Sequence, residues 1–210
     1  MGERKTPRIS PRKQPQQTRS AELVSAILEA AVQVLAKEGA QRFTTARVAE
    51  KAGVSIGSLY QYFPNKAAIL FRLQRDEWRR TAGMLRTILE DRDTPPLRRL
   101  RLLVHAFLRS ECEEAEMRVA LSDAAPLYRD APEAREERAS GDGIIEDFLR
   151  EALPGAPEDV RALAGELIGA TLGAVGKDFS ETPRTSGEIE AYAEAMADMF
   201  CAYLERLGRG

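Results

Sequence analysis

Apolar residues recur along most of the chain at the three- and four-residue spacing that forms one helix face. The first such stripe has spacings of four, three and four and consists of Leu23, Ile27, Ala30 and Val34. Further stretches of this kind follow, separated by breaks that contain Pro and Gly, and no segment shows the alternation of a half-buried β-strand. The pattern predicts an all-α fold of about nine helices without an internal repeat.

Two short helices are predicted directly after the first. Thr44 is a suitable N-cap for one of them, and Gly53 can adopt the left-handed conformation that ends it. The next helix runs from about Ser55 to Phe63, where Pro64 stops it, and Asn65 can cap a long fourth helix. Two short helices joined by a tight turn form a helix-turn-helix, whose second helix lies in the major groove of DNA.

The helix pattern divides the chain into three parts. Residues 1–17 carry Pro, Gln, Arg and Lys with few apolar groups, which predicts a flexible basic arm. Residues 18–66 hold the predicted three-helix, helix-turn-helix domain. Residues 67–210 form a second helical domain, in which 67–92 is a connecting helix and the stretch SGDG bends or divides a later helix.

The charge distribution favours a polyanionic partner. Residues 1–66 contain 11 Lys and Arg against 5 Asp and Glu, a net charge of +6, whereas residues 67–210 have a net charge of −8. A basic N-terminal part on an acidic body indicates that this part meets a polyanion. The alternative is a chance imbalance combined with a basic tail.

Other classes of function find little support. No apolar run approaches the length of about 20 residues that spans a bilayer. No apolar stretch follows the basic N-terminus, so the sequence predicts no signal peptide. Cys112 and Cys201 lack metal or redox spacing, and the sequence contains no nucleophile elbow, phosphate loop or metal motif. We therefore expect a cytoplasmic protein that is not an enzyme and has neither cofactor nor metal.

The third helix offers few groups that can read bases. Val54 and Leu59 are expected to hold it in place, and the outward positions are Ser55, Ile56, Gly57, Ser58, Tyr60 and Gln61. Ile56 provides only apolar contact, and short serine side chains bond to several bases. We therefore expect phosphate contacts and DNA shape to carry much of the affinity, with a steep dependence on salt.

The stretch FTTARVAEKAGVSIGSLYQYFPNKAAIL, from Phe43 to Leu70, resembles the TetR (tetracycline-repressor) family of bacterial transcriptional regulators. The resemblance covers roughly residues 18–75, and beyond residue 95 it is limited to a helical layout. It implies a ligand-responsive regulator, most often a repressor that binds a palindromic operator as a homodimer and is released by a small molecule. Whether binding blocks or recruits polymerase stays open.

The resemblance also implies roles for individual residues. Thr44, Thr45 and Lys66 suit a phosphate at helix N-termini, and the family pattern favours phosphate contact by Tyr60 and Tyr62, with core packing as the alternative for Tyr62. Arg47 is expected to project toward the DNA, and Arg12, Lys13 and Arg19 are candidates for the minor groove or flanking phosphates. The complete predicted DNA-binding set is Thr44, Thr45, Arg47, Ser55, Ile56, Gly57, Ser58, Tyr60, Gln61, Tyr62 and Lys66.

The last two predicted helices are candidates for a dimer interface. One of them carries four glycines in a stripe, each costing ~1 kcal/mol in a helix interior, which close approach of another helix would explain. Two such helices from each of two subunits form a four-helix bundle, and burial within one subunit is the alternative. The predicted interface consists of Gly165, Gly169, Leu172, Gly173, Gly176, Met196, Met199, Phe200 and Tyr203.

The resemblance further implies that the C-terminal helices hold a small-molecule effector, so that residues 67–210 form an effector-binding and dimerisation domain. The candidate lining is apolar and aromatic, which favours an apolar or amphiphilic effector. It consists of His105, Phe107, Leu108, Met117, Leu121, Tyr128, Phe148 and Phe179. His105 is either a polar anchor for the effector or a hydrogen-bonded core residue. A single histidine with scattered carboxylates argues against a metal-chelated ligand.

Overall fold

A computed structural model of the chain describes residues 9–10, 18–139 and 143–209. Within these ranges the chain is helical and contains no strand, which confirms the all-α prediction. The helices are α1 (Thr18–Arg42), α2 (Thr45–Lys51), α3 (Ile56–Tyr62), α4 (Lys66–Leu89), α5 (Pro96–Glu113), α6 (Ala115–Ala124), α7 (Pro132–Ala139), α8 (Gly143–Ala152), α9 (Glu158–Ser180) and α10 (Ser186–Gly208), with a 3-10 turn at Ala125–Leu127.

Two helix boundaries fall at or next to glycines. Gly39 has φ 72° and ψ 170°, so the regular part of α1 ends there even though α1 continues to Arg42. The SGDG stretch divides the predicted seventh helix, because α7 ends at Ala139 and α8 begins at Gly143. This division accounts for ten α-helices in the described ranges where about nine were predicted.

Contacts group the chain into two compact units. Unit 1 comprises Met1–Trp78 and Glu116–Ala139, and unit 2 comprises Arg79–Ala115 and Ser140–Gly210. This grouping differs from the predicted boundary after residue 66, because α4 contributes residues to both units and most of α6 together with α7 packs with the helix-turn-helix. Sequence periodicity reports which face of a helix is buried, but it carries no information on which other helix covers that face.

The core of unit 1 joins the first three helices to α4, α6 and the segment after α6. The side chains of Leu35, Phe43 and Leu59 are fully buried in it. Its rim contains a hydrogen-bonded chain in which Gln74 Nε2 donates to Glu77 Oε2 at 2.9 Å. Arg118 Nη1 then lies 2.6 Å from Glu77 Oε1, so that α6 is tied to α4 by an ion pair with little exposure.

The core of unit 2 is formed by α5, α8, α9 and α10 and the end of α4. Arg99 is 1% exposed, and its guanidinium bonds to the Leu89 carbonyl oxygen and to Glu151 while lying 5.6 Å from the centre of the Phe148 ring. This contact holds the pKa of the Glu151 carboxyl below its ordinary value. Both Nη atoms of this buried guanidinium have partners, whereas its buried Nε has no hydrogen-bond partner among the described residues.

The predicted flexible arm needs correction at two residues. Ile9 is 1% exposed and belongs to the core of unit 1. Ser10 Oγ donates to Glu133 Oε1 at 2.5 Å, and this hydrogen bond lowers the pKa of Glu133. Ile9 is the aliphatic exception in a polar segment, so its burial removes apolar surface from water. The other residues of 1–17, including Arg12 and Lys13, lie outside the described ranges.

Candidate nucleic-acid interface

The start of α2 is fixed by a side-chain cap. Thr44 has an extended backbone, with φ −135° and ψ 149°, and its Oγ1 accepts a hydrogen bond from the Arg47 backbone nitrogen at 3.3 Å. The predicted N-cap is therefore confirmed. Thr45, the first residue of α2, is half-buried, and its Oγ1 lies 3.0 Å from the Tyr60 hydroxyl oxygen. This bond ties the first turn of α2 to α3.

The turn between the two short helices depends on Gly53. Its φ of 66° lies in the left-handed region, which a residue with a Cβ adopts only with strain. The Gly53 nitrogen donates to the Glu50 carbonyl oxygen at 3.1 Å, and the Val54 nitrogen donates to the Ala49 carbonyl oxygen at 3.0 Å. These two bonds form a Schellman motif, so the helix end is satisfied as Gly53 predicted.

A serine pair begins α3. Ser55 Oγ accepts a hydrogen bond from the Ser58 backbone nitrogen at 3.0 Å and lies 2.8 Å from Ser58 Oγ. Both hydroxyls are therefore engaged in capping the helix. Ser55 stays exposed and Ser58 half-exposed, so neither is removed from solvent, but a DNA contact by either hydroxyl competes with the cap.

Two faces of α3 differ sharply in exposure. Leu59 is fully buried and Tyr62 is 6% exposed, so these two side chains anchor the helix to unit 1. The opposite face carries Ile56 (42% exposed), Gly57, Tyr60 (38% exposed) and Gln61. Residues four apart share a helix face, so these four positions form one outward surface, which we call the α3 face.

Two predicted contact residues, Tyr62 and Arg47, are held by other parts of the chain. The burial of Tyr62 agrees with the core-packing alternative and leaves only its edge near solvent. Arg47 forms an ion pair with Glu38 and donates to the Arg42 carbonyl oxygen at 2.9 Å, which holds it against the end of α1. Contact with DNA would require Arg47 to leave these partners.

The start of α4 lies close to α3 in the sequence and carries Lys66. Asn65 Oδ1 accepts a hydrogen bond from the Ala68 backbone nitrogen at 2.9 Å, which confirms the predicted cap. Lys66, half-buried, is the first residue of this 24-residue helix. A lysine charge beside the positive end of a long helix suits a phosphate group.

The basic excess of the N-terminal part is unevenly distributed. Residues 18–66 contain 6 Lys and Arg against 4 Asp and Glu, whereas residues 1–17 contain 5 against 1. Glu38 moreover neutralises Arg47 locally. Most of the unbalanced positive charge is therefore in the arm, and the folded helix-turn-helix itself is only weakly basic.

Apart from His105, the predicted effector-lining residues belong to two different hydrophobic cores. Met117, Leu121 and Tyr128 pack in the core of unit 1, where the Tyr128 hydroxyl lies 3.1 Å from the Leu121 carbonyl oxygen. The core of unit 2 contains Phe107, Leu108, Phe148 and Phe179. One shared lining stays a prediction, since these apolar residues belong to two hydrophobic cores that helical periodicity cannot distinguish.

His105 lies in a row of ion pairs between α5 and α10, outside both cores. Its Nδ1 is 2.8 Å from Glu190 Oε2 and its Nε2 is 2.9 Å from Glu194 Oε2. Arg109 reaches Glu190 at 2.5 Å, and Arg101 reaches Glu194 and Asp198 at 2.5 Å. These contacts agree with the hydrogen-bonded boundary alternative for His105.

These contacts set the pH range in which the row is intact. Arg109 and then His105 lower the pKa of Glu190, and His105 and then Arg101 lower that of Glu194. A carboxyl whose folded pKa is depressed contributes stability above its ordinary pKa and loses it on acidification through the folded value. The row therefore strengthens the α5–α10 pairing at neutral pH and weakens in acid, with a small effect since the carboxylates are exposed.

A groove in unit 2 combines apolar and charged walls. It is lined by Arg86, Leu89, Glu90, Arg92, Gly143, Ile144, Asp147, Phe148 and Glu151. Phe148 alone belongs to the predicted effector set. The other lining residues come from the end of α4, from the segment that follows it and from α8, which carry charged and turn residues in place of an aromatic stripe.

The predicted dimer interface also requires correction. Leu172, Gly176, Met196 and Phe200 are buried by helices of their own chain. A Cβ at Gly176 would approach the Phe107 ring to 2.9 Å, and one at Gly165 would approach Leu149 to 3.2 Å. Close packing against α5 and α8 therefore explains these two glycines, as the single-subunit alternative stated. Gly169 and Tyr203 are half-exposed, and Gly173 and Met199 are exposed.

Apart from Met199, the exposed apolar surface of α9 and α10 is formed by residues outside the predicted interface. The α9 stripe consists of Leu163 (61% exposed), Leu167 (48% exposed), Ala170 and Ala174, and the α10 stripe consists of Tyr192 (40% exposed), Ala195, Met199 (53% exposed) and Ala202. Both stripes follow helical spacing, so the sequence does indicate them. The glycines used for the prediction include Gly165 and Gly176, which lie on the face of α9 that packs within the chain.

The described ranges provide no sign of a metal or membrane role. They contain no group of three or more His, Cys, Asp or Glu residues arranged to hold a metal ion. None of the helices that the structure describes combines the length and apolar character that crossing a bilayer requires.

Two family models match the chain. Residues 27–73 match the model described as bacterial regulatory proteins, tetR family, and residues 95–207 match that of the tetracyclin repressor-like C-terminal domain. The chain is 31% identical over 176 residues to the nucleoid occlusion factor SlmA of Vibrio campbellii, a match that covers 75% of this chain and 86% of that protein.

Solved structures share the fold. A putative TetR-family transcriptional regulator from Mesorhizobium loti superposes with a TM-score of 0.69 and 18% identity, covering 89% of this chain and 98% of that one. The transcriptional regulator FadR from Bacillus subtilis, solved in complex with stearoyl-CoA, gives a TM-score of 0.63 and 17% identity over 85% and 98%. Together with the family models and the helix-turn-helix geometry, this establishes that the chain belongs to the TetR family and is a DNA-binding transcriptional regulator.

Proposed function

We propose that this regulator is a repressor that binds a palindromic operator as a homodimer and is released by a small apolar or amphiphilic effector. The α3 face carries the proposal, because Leu59 and Tyr62 bury one side of a seven-residue helix while the other side stays open. We infer that the protein works in the cytoplasm, where bacterial DNA lies.

The composition of the α3 face favours binding through phosphates and shape. Ile56 and Gly57 offer no hydrogen bond, and Thr45, Tyr60 and Lys66 surround them with groups suited to phosphate oxygens. Because the folded helix-turn-helix is only weakly basic, the arm supplies much of the electrostatic attraction. Affinity should accordingly fall steeply as salt rises, because the condensed counterions that the protein displaces from DNA are released into a more concentrated solution, which is less favourable.

A second copy of the chain is the proposed occupant of the exposed stripes on α9 and α10. Leu163, Leu167 and Met199 are more than 45% exposed, and apolar surface of this kind marks an interaction site. Two helices from each subunit can form a four-helix bundle. Dimerisation also presents two α3 faces to one duplex, which a palindrome requires.

The groove of unit 2 supports the proposed class of effector. Phe148, Leu89 and Ile144 provide an apolar wall, and the charged lining combines two cations with three carboxylates, namely Arg86, Arg92, Glu90, Asp147 and Glu151. An apolar chain with an ionised head matches this mixture, and stearoyl-CoA, bound by the FadR of similar fold, has that character. Release of DNA requires that the effector bind more tightly to the conformation that does not bind DNA.

The experiment is a selection of bound duplexes from a random pool at low salt, followed by titration of the selected site from 50 to 200 mM salt. We expect a palindrome with half-sites about 10 base pairs apart and an affinity loss of about 10³-fold or more over this range. Titration is then repeated with stearoyl-CoA and with fractionated cell extract, which should release the DNA. A pool without enrichment, or an affinity that is flat with salt, would count against the proposal.

Nucleoid occlusion is a second candidate, favoured by the similarity to SlmA over 86% of that protein. A regulator of particular genes needs sites at their promoters, whereas a factor that acts on the nucleoid as a whole needs sites spread along the chromosome. Mapping of bound sites in cells separates the two. Occupancy confined to a few promoters supports the repressor, and dispersed occupancy without effect on nearby transcripts supports the second candidate.

A further inference from the structure

The polar groups around the α3 face are not equally available to DNA. Ser55 and Ser58 are bonded to each other at 2.8 Å, and the Tyr60 hydroxyl lies 3.0 Å from Thr45 Oγ1. Gln61 is exposed, and no hydrogen bond joins its amide to the part of the chain that the structure describes. Of the polar side chains on the α3 face, Gln61 is therefore the one whose donor and acceptor are both uncommitted.

An uncommitted amide beside the base edges has a defined chemical preference. The Gln amide donates one hydrogen bond and accepts one, which matches N7 and the N6 amino group of adenine in the major groove. Gly57 lies four residues before Gln61 on the same face and carries no side chain, so the backbone in front of Gln61 can approach the duplex closely. Burial of Leu59 and Tyr62 fixes the rotation of α3 and thereby the direction in which position 61 projects.

We infer that Gln61 is the specificity-determining residue of α3 and selects an adenine in each half-site of the operator. Ile56 complements it with apolar contact to a thymine methyl group. Gln61 follows Ile56 by five positions, which is a rise of about 7.5 Å along the helix. If α3 lies along the groove, the two contacted bases are therefore about two base-pair steps apart. This inference rests on the operator binding proposed above and adds the base that is read.

An exchange of base preference tests the inference. Selections from a random duplex pool are run in parallel with the wild-type protein, Gln61→Glu and Gln61→Ala, with thermal unfolding as a check of folding. The wild type should enrich one adenine per half-site with about 5- to 150-fold discrimination. Gln61→Ala should lose preference at that position alone, and Gln61→Glu should replace adenine by cytosine, whose N4 amino group donates to a carboxylate.

Gln33→Glu is the matched control, since it adds the same charge at an exposed glutamine of α1. The Gln33→Glu protein should show the same preference for adenine as the wild type. The inference is overturned if Gln61→Ala selects the same adenine as stringently as the wild type, or if both position-61 variants lose affinity equally for every sequence, as a phosphate contact would. If the wild type enriches no site at all, the proposed operator binding fails instead.

Discussion

Replacing Leu167 and Met199 together by glutamate should convert the protein into monomers that bind the selected operator about 100-fold more weakly or worse. Both side chains are about half exposed and lie on the α9 and α10 stripes, so the substitutions leave the cores of the chain intact. In a dimer they would place four carboxylates in an apolar interface, where unpaired charge is strongly unfavourable. Two linked α3 faces bind a palindrome far more tightly than one, and this gain disappears with the dimer.

Sedimentation velocity measures the oligomeric state, and fluorescence anisotropy with the selected duplex measures affinity. Val119→Glu is the control, because Val119 is 46% exposed on α6 and lies outside both stripes. The control should stay dimeric with unchanged affinity. If the double variant sediments as a dimer and binds as the wild type does, the two stripes are not the interface.

Gly57→Ala should stabilise the protein and weaken its DNA binding at the same time. A Cβ at position 57 meets only Ser55 Oγ, at 3.7 Å, and the backbone there is helical. Alanine should therefore raise the free energy of unfolding by about 0.5–1 kcal/mol. The added methyl group projects from the α3 face into the space that DNA would occupy, and overpacking costs about 1–3 kcal/mol, or about 5- to 150-fold in affinity.

Urea unfolding and anisotropy titration of the same preparation measure both effects. Gly83→Ala provides the control, since Gly83 lies within α4 with nothing within 4 Å of an added Cβ and is exposed. It should gain similar stability and keep the wild-type affinity for DNA. A Gly57→Ala protein with unchanged operator affinity would mean that the helix backbone does not approach the duplex closely.

Local features of the sequence predicted the two helices of the helix-turn-helix, α2 and α3, well. Thr44, Gly53 and Asn65 each act on backbone groups within a few residues, so their roles as two caps and a turn follow from residue type and position alone. The opposite exposure of Leu59 and Ile56 follows in the same way from the helical period. These local features determine the α3 face, so the proposed interface can be predicted without knowledge of tertiary contacts.

Contacts between residues far apart in the chain could not be predicted from the sequence. Tyr128 and Phe148 look alike as aromatic residues of C-terminal helices, yet they belong to different cores. Gly176 is explained by Phe107, which lies 69 positions earlier in the chain and belongs to α5. The ion pair of Arg47 with Glu38 likewise depends on how α2 folds against α1.

Hydroxyl-radical footprinting on the selected operator, combined with methylation interference at guanine N7, tests the central claim most directly, namely that two copies of α3 enter successive major grooves of one duplex. The account predicts two protected regions on one side of the DNA, centred about 10 base pairs or 34 Å apart, with interference by major-groove methyl groups inside each. A single protected region, or protection that major-groove methylation does not disturb, would contradict it.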